Sequence, residues 1–178
     1  MATPHLLLYG PPAAGKLTVA GAIAARSQLR VIDNHATVDL VLRLFEFGSR
    51  PFVELVDKMR LDLAGAAARE GVPVISTFVF GEPHDRPYVE RLTQTVETNG
   101  GAMYFARLVP PPGVLETRVG ESSRASLKKV QDVELLRQIL ATHDCYSAIN
   151  ADDLTIDNSA VDAFDAARQI CDHFRFES

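Results

Sequence analysis

The stretch Gly10-Pro11-Pro12-Ala13-Ala14-Gly15-Lys16-Leu17-Thr18, entered from the apolar run His5-Leu6-Leu7-Leu8-Tyr9, decides how this chain reads. Its spacing is Gly-x4-Gly-Lys, the pattern of a loop that cradles phosphate. A triphosphate needs several donors arriving from one side, and a strand turning sharply into a helix supplies backbone N–H groups at the positive end of the helix dipole. Gly10 and Gly15 permit the tight turn, small Ala13 and Ala14 let the backbone wrap closely, and Lys16 reaches the β- and γ-phosphates as a point charge. The spacing departs from the usual form in one place. Leu17 stands where a hydroxyl residue is expected after the lysine, and Thr18 follows it. Gly10, Pro12, Ala13, Ala14, Gly15, Lys16, Leu17 and Thr18 are therefore the candidate contacts to nucleotide. The alternative is a Gly-rich turn of an unrelated α/β domain with Lys16 merely solvated.

Outward from the loop, apolar runs suited to buried parallel strands recur at His5–Tyr9, Arg30–Asp33, Val72–Phe80, Ala102–Val109 and Asp153–Ile156. Between them lies material of helical period: Lys16–Ser27, Ala36–Phe47, Pro51–Arg69, Pro87–Asn99, Val130–His143 and Ala160–Phe174. Apolar spacings of three and four put one face of each against a sheet. Such alternation predicts an α/β fold. Two spans break the rhythm. Two successive helices fill the interval from about residue 36 to 70, and after the prolines Pro110-Pro111-Pro112 comes a locally basic stretch with Arg118, Arg124, Lys128 and Lys129.

With 178 residues, 47% hydrophobic and 23% charged, the chain suits a single well-buried domain. A net charge of −5 provides no global field for nucleic acid or an acidic membrane surface. Cys145 and Cys171 form no Cys-x-x-Cys pair and share no metal-ligand spacing with the histidines, which suits a reducing cytoplasm. No apolar run approaches the ~20 residues that span a bilayer. A cytoplasmic monomer is the expectation.

Taken together, the loop, the helical interval after strand two and the arginine-rich stretch after strand four resemble the small P-loop kinases, the group of adenylate, shikimate and gluconate kinases. The resemblance covers nearly the whole chain. In adenylate kinases the loop reads Gly-Lys-Gly-Thr, so Gly15-Lys16-Leu17-Thr18 is similar to that arrangement. The segment Asp33-Asn34-His35-Ala36-Thr37-Val38-Asp39-Leu40 further resembles a group of bacterial shikimate-kinase-like proteins labelled ATPases. The Gly-Gly-Gly that shikimate kinases carry after strand three is replaced here by Ser76-Thr77-Phe78-Val79-Phe80-Gly81.

The resemblance implies a three-layer P-loop NTPase fold with a five-stranded parallel sheet of order 2-3-1-4-5, an acceptor-binding helical insertion at about 36–70 and a lid at about 113–129. It implies ATP and Mg2+ as cofactors, and transfer of the γ-phosphoryl group to a small-molecule acceptor. Asp33, at the carboxyl end of strand two, is then placed near the metal and the acceptor hydroxyl, with Thr18 as a second candidate toward the metal. A helix cap is the other reading of Asp33. His35 and Arg60 are candidates for the acceptor, with a local turn or core histidine and a solvated or intrahelically paired arginine as their respective alternatives. Arg118 begins the implied lid and faces adenine, and Arg124 reaches the phosphates, as the charge spread of phosphoryl transfer requires. Asp157 and Ser159 read as caps of the last helix, without a catalytic role.

Two functions of other classes compete with the kinase. One is an NTPase or nucleotide-dependent switch acting on a partner. The other is a nucleotide-binding protein without catalysis, suggested by Leu17 and by the lack of an acidic residue in Val74–Phe80.

Overall fold

The computed structural model describes residues 2–119 and 132–176. Five strands, β1 (Thr3–Tyr9), β2 (Arg30–Ile32), β3 (Val74–Phe78), β4 (Gly101–Leu108) and β5 (Leu154–Ile156), form one parallel sheet in the order β2-β3-β1-β4-β5. The order is the one the resemblance implies. β1 lies at the centre, hydrogen-bonded to β3 on one side and β4 on the other. Helices cover both faces of the sheet, so His5–Tyr9 have no solvent face, which is why the strand reads as an unbroken apolar run rather than an alternation.

Alternation along β1 feeds two cores. Leu6 and Leu8 join Val19, Ala20 and Ile23 of α1 (Lys16–Ala24), Leu115 of α5 (Pro112–Val119), Leu136 of α6 (Val133–Thr142) and Ala166, Ala167 and Ile170 of α7 (Ala163–Phe174). Leu7 and Tyr9 face the opposite way. They pack with Ala64 and Ala68 of α3 (Arg50–Arg69) and with Tyr88, Val89, Leu92 and Val96 of α4 (Arg86–Thr98). Burying a side chain of this size contributes roughly 1.5–3 kcal/mol, so these two layers on either face carry most of the fold. A small third cluster, Val41, Phe52 and Val56, fastens α2 (Asn34–Val41) to α3.

The helix boundaries differ from the periodic reading for local reasons. α2 starts at Asn34 rather than Ala36 because Asp33 caps it, accepting from the His35 N–H at 3.1 Å. α7 starts at Ala163, three residues later than the apolar spacing predicts, because Asp162 accepts from the Asp165 N–H at 2.8 Å. The capping reading of Asp157 and Ser159 is thereby corrected: the Ser159 N–H donates to Asp157 in a turn ahead of the helix. α5 is absent from the periodic reading. Prolines close β4 as expected, but Pro112 also opens a helix, a position where its fixed φ and missing N–H cost nothing.

Among the described residues no helix is long and apolar enough to cross a membrane.

Candidate functional site

The carboxyl ends of β1 and β2 deliver the two halves of the site. After Tyr9 the chain turns at Gly10, where φ is +142° and an added Cβ would stand 2.2 Å from the Leu108 carbonyl oxygen. Only a residue without a side chain passes between the loop and β4. Pro11, Pro12, Ala13 and Ala14 are buried beneath the turn. Gly15 then takes a left-handed conformation, φ +87°, as N-cap of α1, and no side chain caps that helix. The N-terminal end of a helix carries the positive end of its dipole, a position suited to an anion.

Lys16 arches back over the loop, its ammonium donating to the carbonyls of Gly10 at 2.9 Å and Pro11 at 2.7 Å. Loop backbone, helix end and cation thus stand together at the carboxyl end of β1. Leu17 is half-buried on the first turn of α1, and Thr18 is exposed beside it. No group of three or more His, Cys, Asp or Glu side chains is set to hold a metal among the described residues. Magnesium, which keeps several waters and takes one or two carboxylates plus phosphate, asks for no such cage.

The second half lies across β3. Asp33, Asn34, Arg60, Ser76, Thr77, Phe78 and Tyr88 line one pocket with Leu7, Ile32 and Leu92. Asp33 Oδ1 accepts from the His35 backbone and lies 3.3 Å from His35 Nδ1, so capping and a place at the pocket mouth fall to the same carboxylate. His35 is held beside Asp33 and is not among the residues lining the pocket.

Arg60 is no solvated arginine. Its Nε donates to Thr37 Oγ1 at 3.1 Å and its Nη2 to the Asn34 carbonyl at 3.3 Å. Its guanidinium lies 5.9 Å from the Phe78 ring centroid and 6.0 Å from that of Tyr88. Burial lowers its pKa somewhat but leaves it charged. Burial also pushes the Tyr88 phenol up to about 12, against the opposing pull of Arg60. Thr37 and Thr77, both buried, were not anticipated as site residues. Thr77 accepts from the Asn34 N–H at 3.4 Å and so joins β3 to the start of α2.

Arg118 lies in the last turn of α5 and reaches the loop: Nη1 donates to the Ala14 carbonyl at 3.3 Å, and Nη2 to the Asn158 carbonyl at 2.7 Å. Residues 113–119 of the expected lid are thus helix, while Arg124 and the rest of that stretch to Lys129 lie outside the described residues. Asn158, between Asp157 and Ser159, belongs to the same junction. Its Nδ2 donates to the Ala14 carbonyl at 2.8 Å. No local signal marks it, because its partner is 144 positions away.

No family model matches the chain, and no curated protein matches it in sequence. Solved structures do match it in three dimensions. A sugar kinase from Janibacter sp. HTCC2649 superposes with a TM-score of 0.68 at 17% identity, covering 98% of this chain and 95% of that one. A putative kinase from Chloroflexus aurantiacus gives 0.69 at 18% identity, with both chains covered completely. The shikimate kinase of Acinetobacter baumannii, solved with shikimate, gives 0.63 at 21% identity over 97% of this chain and 93% of that one. The fold is that of the small P-loop kinases.

Proposed function

We propose that the chain is a small-molecule kinase, using ATP and magnesium to phosphorylate a metabolite at a hydroxyl or phosphate group. One observation carries the reading: the glycine-bounded loop with Lys16 after β1 and a small pocket lined by Asp33, Asn34, Arg60 and Thr77 after β2 lie at the same carboxyl edge of the sheet, where open α/β folds bind ligands. The kinase neighbours in three dimensions support it.

On this reading the loop N–H groups and Lys16 bind the β- and γ-phosphates and stabilise the charge of the transferring group. Arg118 steadies the loop beside the base, and Arg124 supplies a further cation. Asp33 orients the acceptor hydroxyl and receives its proton. Arg60, already fixed by Thr37 and Asn34, presents the rest of its donor fork to the acceptor. Magnesium, when bound, neutralises phosphate charge; Thr18 and Asp33 are the groups of this chain proposed to face it, through water.

The test is a metabolite-pool incubation with γ-labelled ATP and magnesium, beside the Lys16→Ala variant. Transfer of label to one acceptor by wild type and not by the variant is the expected result. Tight nucleotide binding with no labelled acceptor would sink the kinase reading in favour of an NTPase switch or an inactive nucleotide binder.

A further inference from the structure

Two side chains from distant parts of the sequence converge on one backbone oxygen of the phosphate loop. The Ala14 carbonyl accepts from Asn158 Nδ2 at 2.8 Å and from Arg118 Nη1 at 3.3 Å. Arg118 Nη2 closes the triangle by donating to the Asn158 carbonyl at 2.7 Å. The Asn158 residue is 4% exposed, and its Oδ1 has no hydrogen-bond partner among the described residues. A buried carboxamide with one end unpaired is a cost to the fold, so the end that is paired needs a reason.

In a planar trans peptide the C=O and the following N–H point to opposite sides. With its carbonyl turned toward Asn158 and Arg118, the Ala14–Gly15 peptide turns its N–H away from them. Half a rotation of that unit would exchange the two. The change would fall on ψ of Ala14 and φ of Gly15, and Gly15, at φ +87°, has no side chain to resist it. A flipped peptide presents a carbonyl dipole where phosphate oxygens need a donor.

We propose that Asn158 and Arg118 are positioning residues that lock the Ala14–Gly15 peptide with its N–H toward the phosphate cradle, and so set the loop's affinity for a polyphosphate chain. The inference rests on the nucleotide-binding part of the reading above and is independent of the acceptor. Because the segment after β5 and helix α5 supply the two donors, the loop's geometry depends on both elements being docked.

Calorimetric titration of wild type, Asn158→Leu and Arg118→Gln with magnesium ATP and with magnesium tripolyphosphate tests it. Leucine keeps the bulk of Asn158 while removing both the donor and the unpaired oxygen. The lock requires Asn158→Leu to weaken both ligands by about tenfold or more, the loss expected when the loop N–H no longer donates to a charged phosphate, with little change in thermal unfolding. Arg118→Gln weakens tripolyphosphate as well as ATP. Unchanged affinity in Asn158→Leu overturns the lock alone, as does a loss for ATP without one for tripolyphosphate, which would assign the residue to the base. A wild type that binds neither ligand overturns the nucleotide reading and the lock with it. Should Asn158→Leu fail to fold, Asn158→Ser, which is smaller and too short to reach Ala14, replaces it in the same titrations.

Discussion

Gly10 and Leu108 approach so closely that the space for a Cβ at position 10 is already filled by the Leu108 carbonyl oxygen, 2.2 Å away. The obstacle is strand backbone, which has no rotamer to move out of the way. Gly10→Ala must therefore displace either the loop or the end of β4, and a φ of +142° adds strain to any L side chain there. The expected cost is roughly 2–4 kcal/mol with loss of nucleotide binding, read by urea unfolding and ATP titration. Gly21, inside α1 with nothing within 4 Å of an added Cβ, is the control. Gly21→Ala should gain about 0.5–1 kcal/mol.

At Ala13 the sign reverses. Its φ of +64° is left-handed, a conformation that costs a residue with a Cβ about 1–2 kcal/mol. Ala13→Gly relieves this and gives back about 0.4–1 kcal/mol through the entropy of the unfolded chain. The variant should be as stable as wild type or up to about 1.6 kcal/mol more stable. A urea midpoint clearly below the wild-type value would count against the strain.

Arg60→Lys removes the fork that reaches Thr37 and Asn34 together and the stacking on Phe78 and Tyr88. A lysine reproduces neither geometry. The expected loss of stability is about 1–3 kcal/mol. In the kinase reading the acceptor KM rises while ATP affinity stays at the wild-type value. Equal loss of both would place Arg60 outside the acceptor half.

His5 is buried in β1 at 2% exposure, against Ser76 Oγ at 2.6 Å. Burial lowers its pKa from 6.5 to about 4. The folded-state pKa lies below the unfolded one, so the unfolded chain binds the proton first and acid favours unfolding. The neutral ring's contribution is intact above pH 6.5 and is lost progressively as pH falls toward 4. Between pH 7 and pH 5 this amounts to roughly 2 kcal/mol. Urea midpoints across that interval should fall in wild type and fall less steeply in His5→Leu.

Local signals carried a good part of this molecule. The apolar run of β1, the helical periods and the Gly-x4-Gly-Lys spacing each occupy fewer than about twenty consecutive residues, within reach of pattern reasoning. The sheet order followed from the resemblance. The start of α5 was hidden for an instructive reason: prolines that end a strand are equally suited to open a helix, and the residues alone do not separate the two.

From sequence, then, came the class of fold, the phosphate loop and the charges near it, since backbone conformation and side-chain period are short-range properties. Tertiary structure alone decided which of those charges meet. Arg60 turned inward to Thr37 and Asn34, and Asn158 reached Ala14 across 144 residues. Those contacts depend on how α2 packs on α3 and on β5 lying two strands from β1. Packing of that kind is a property of the assembled layers, and no local stretch of residues encodes it.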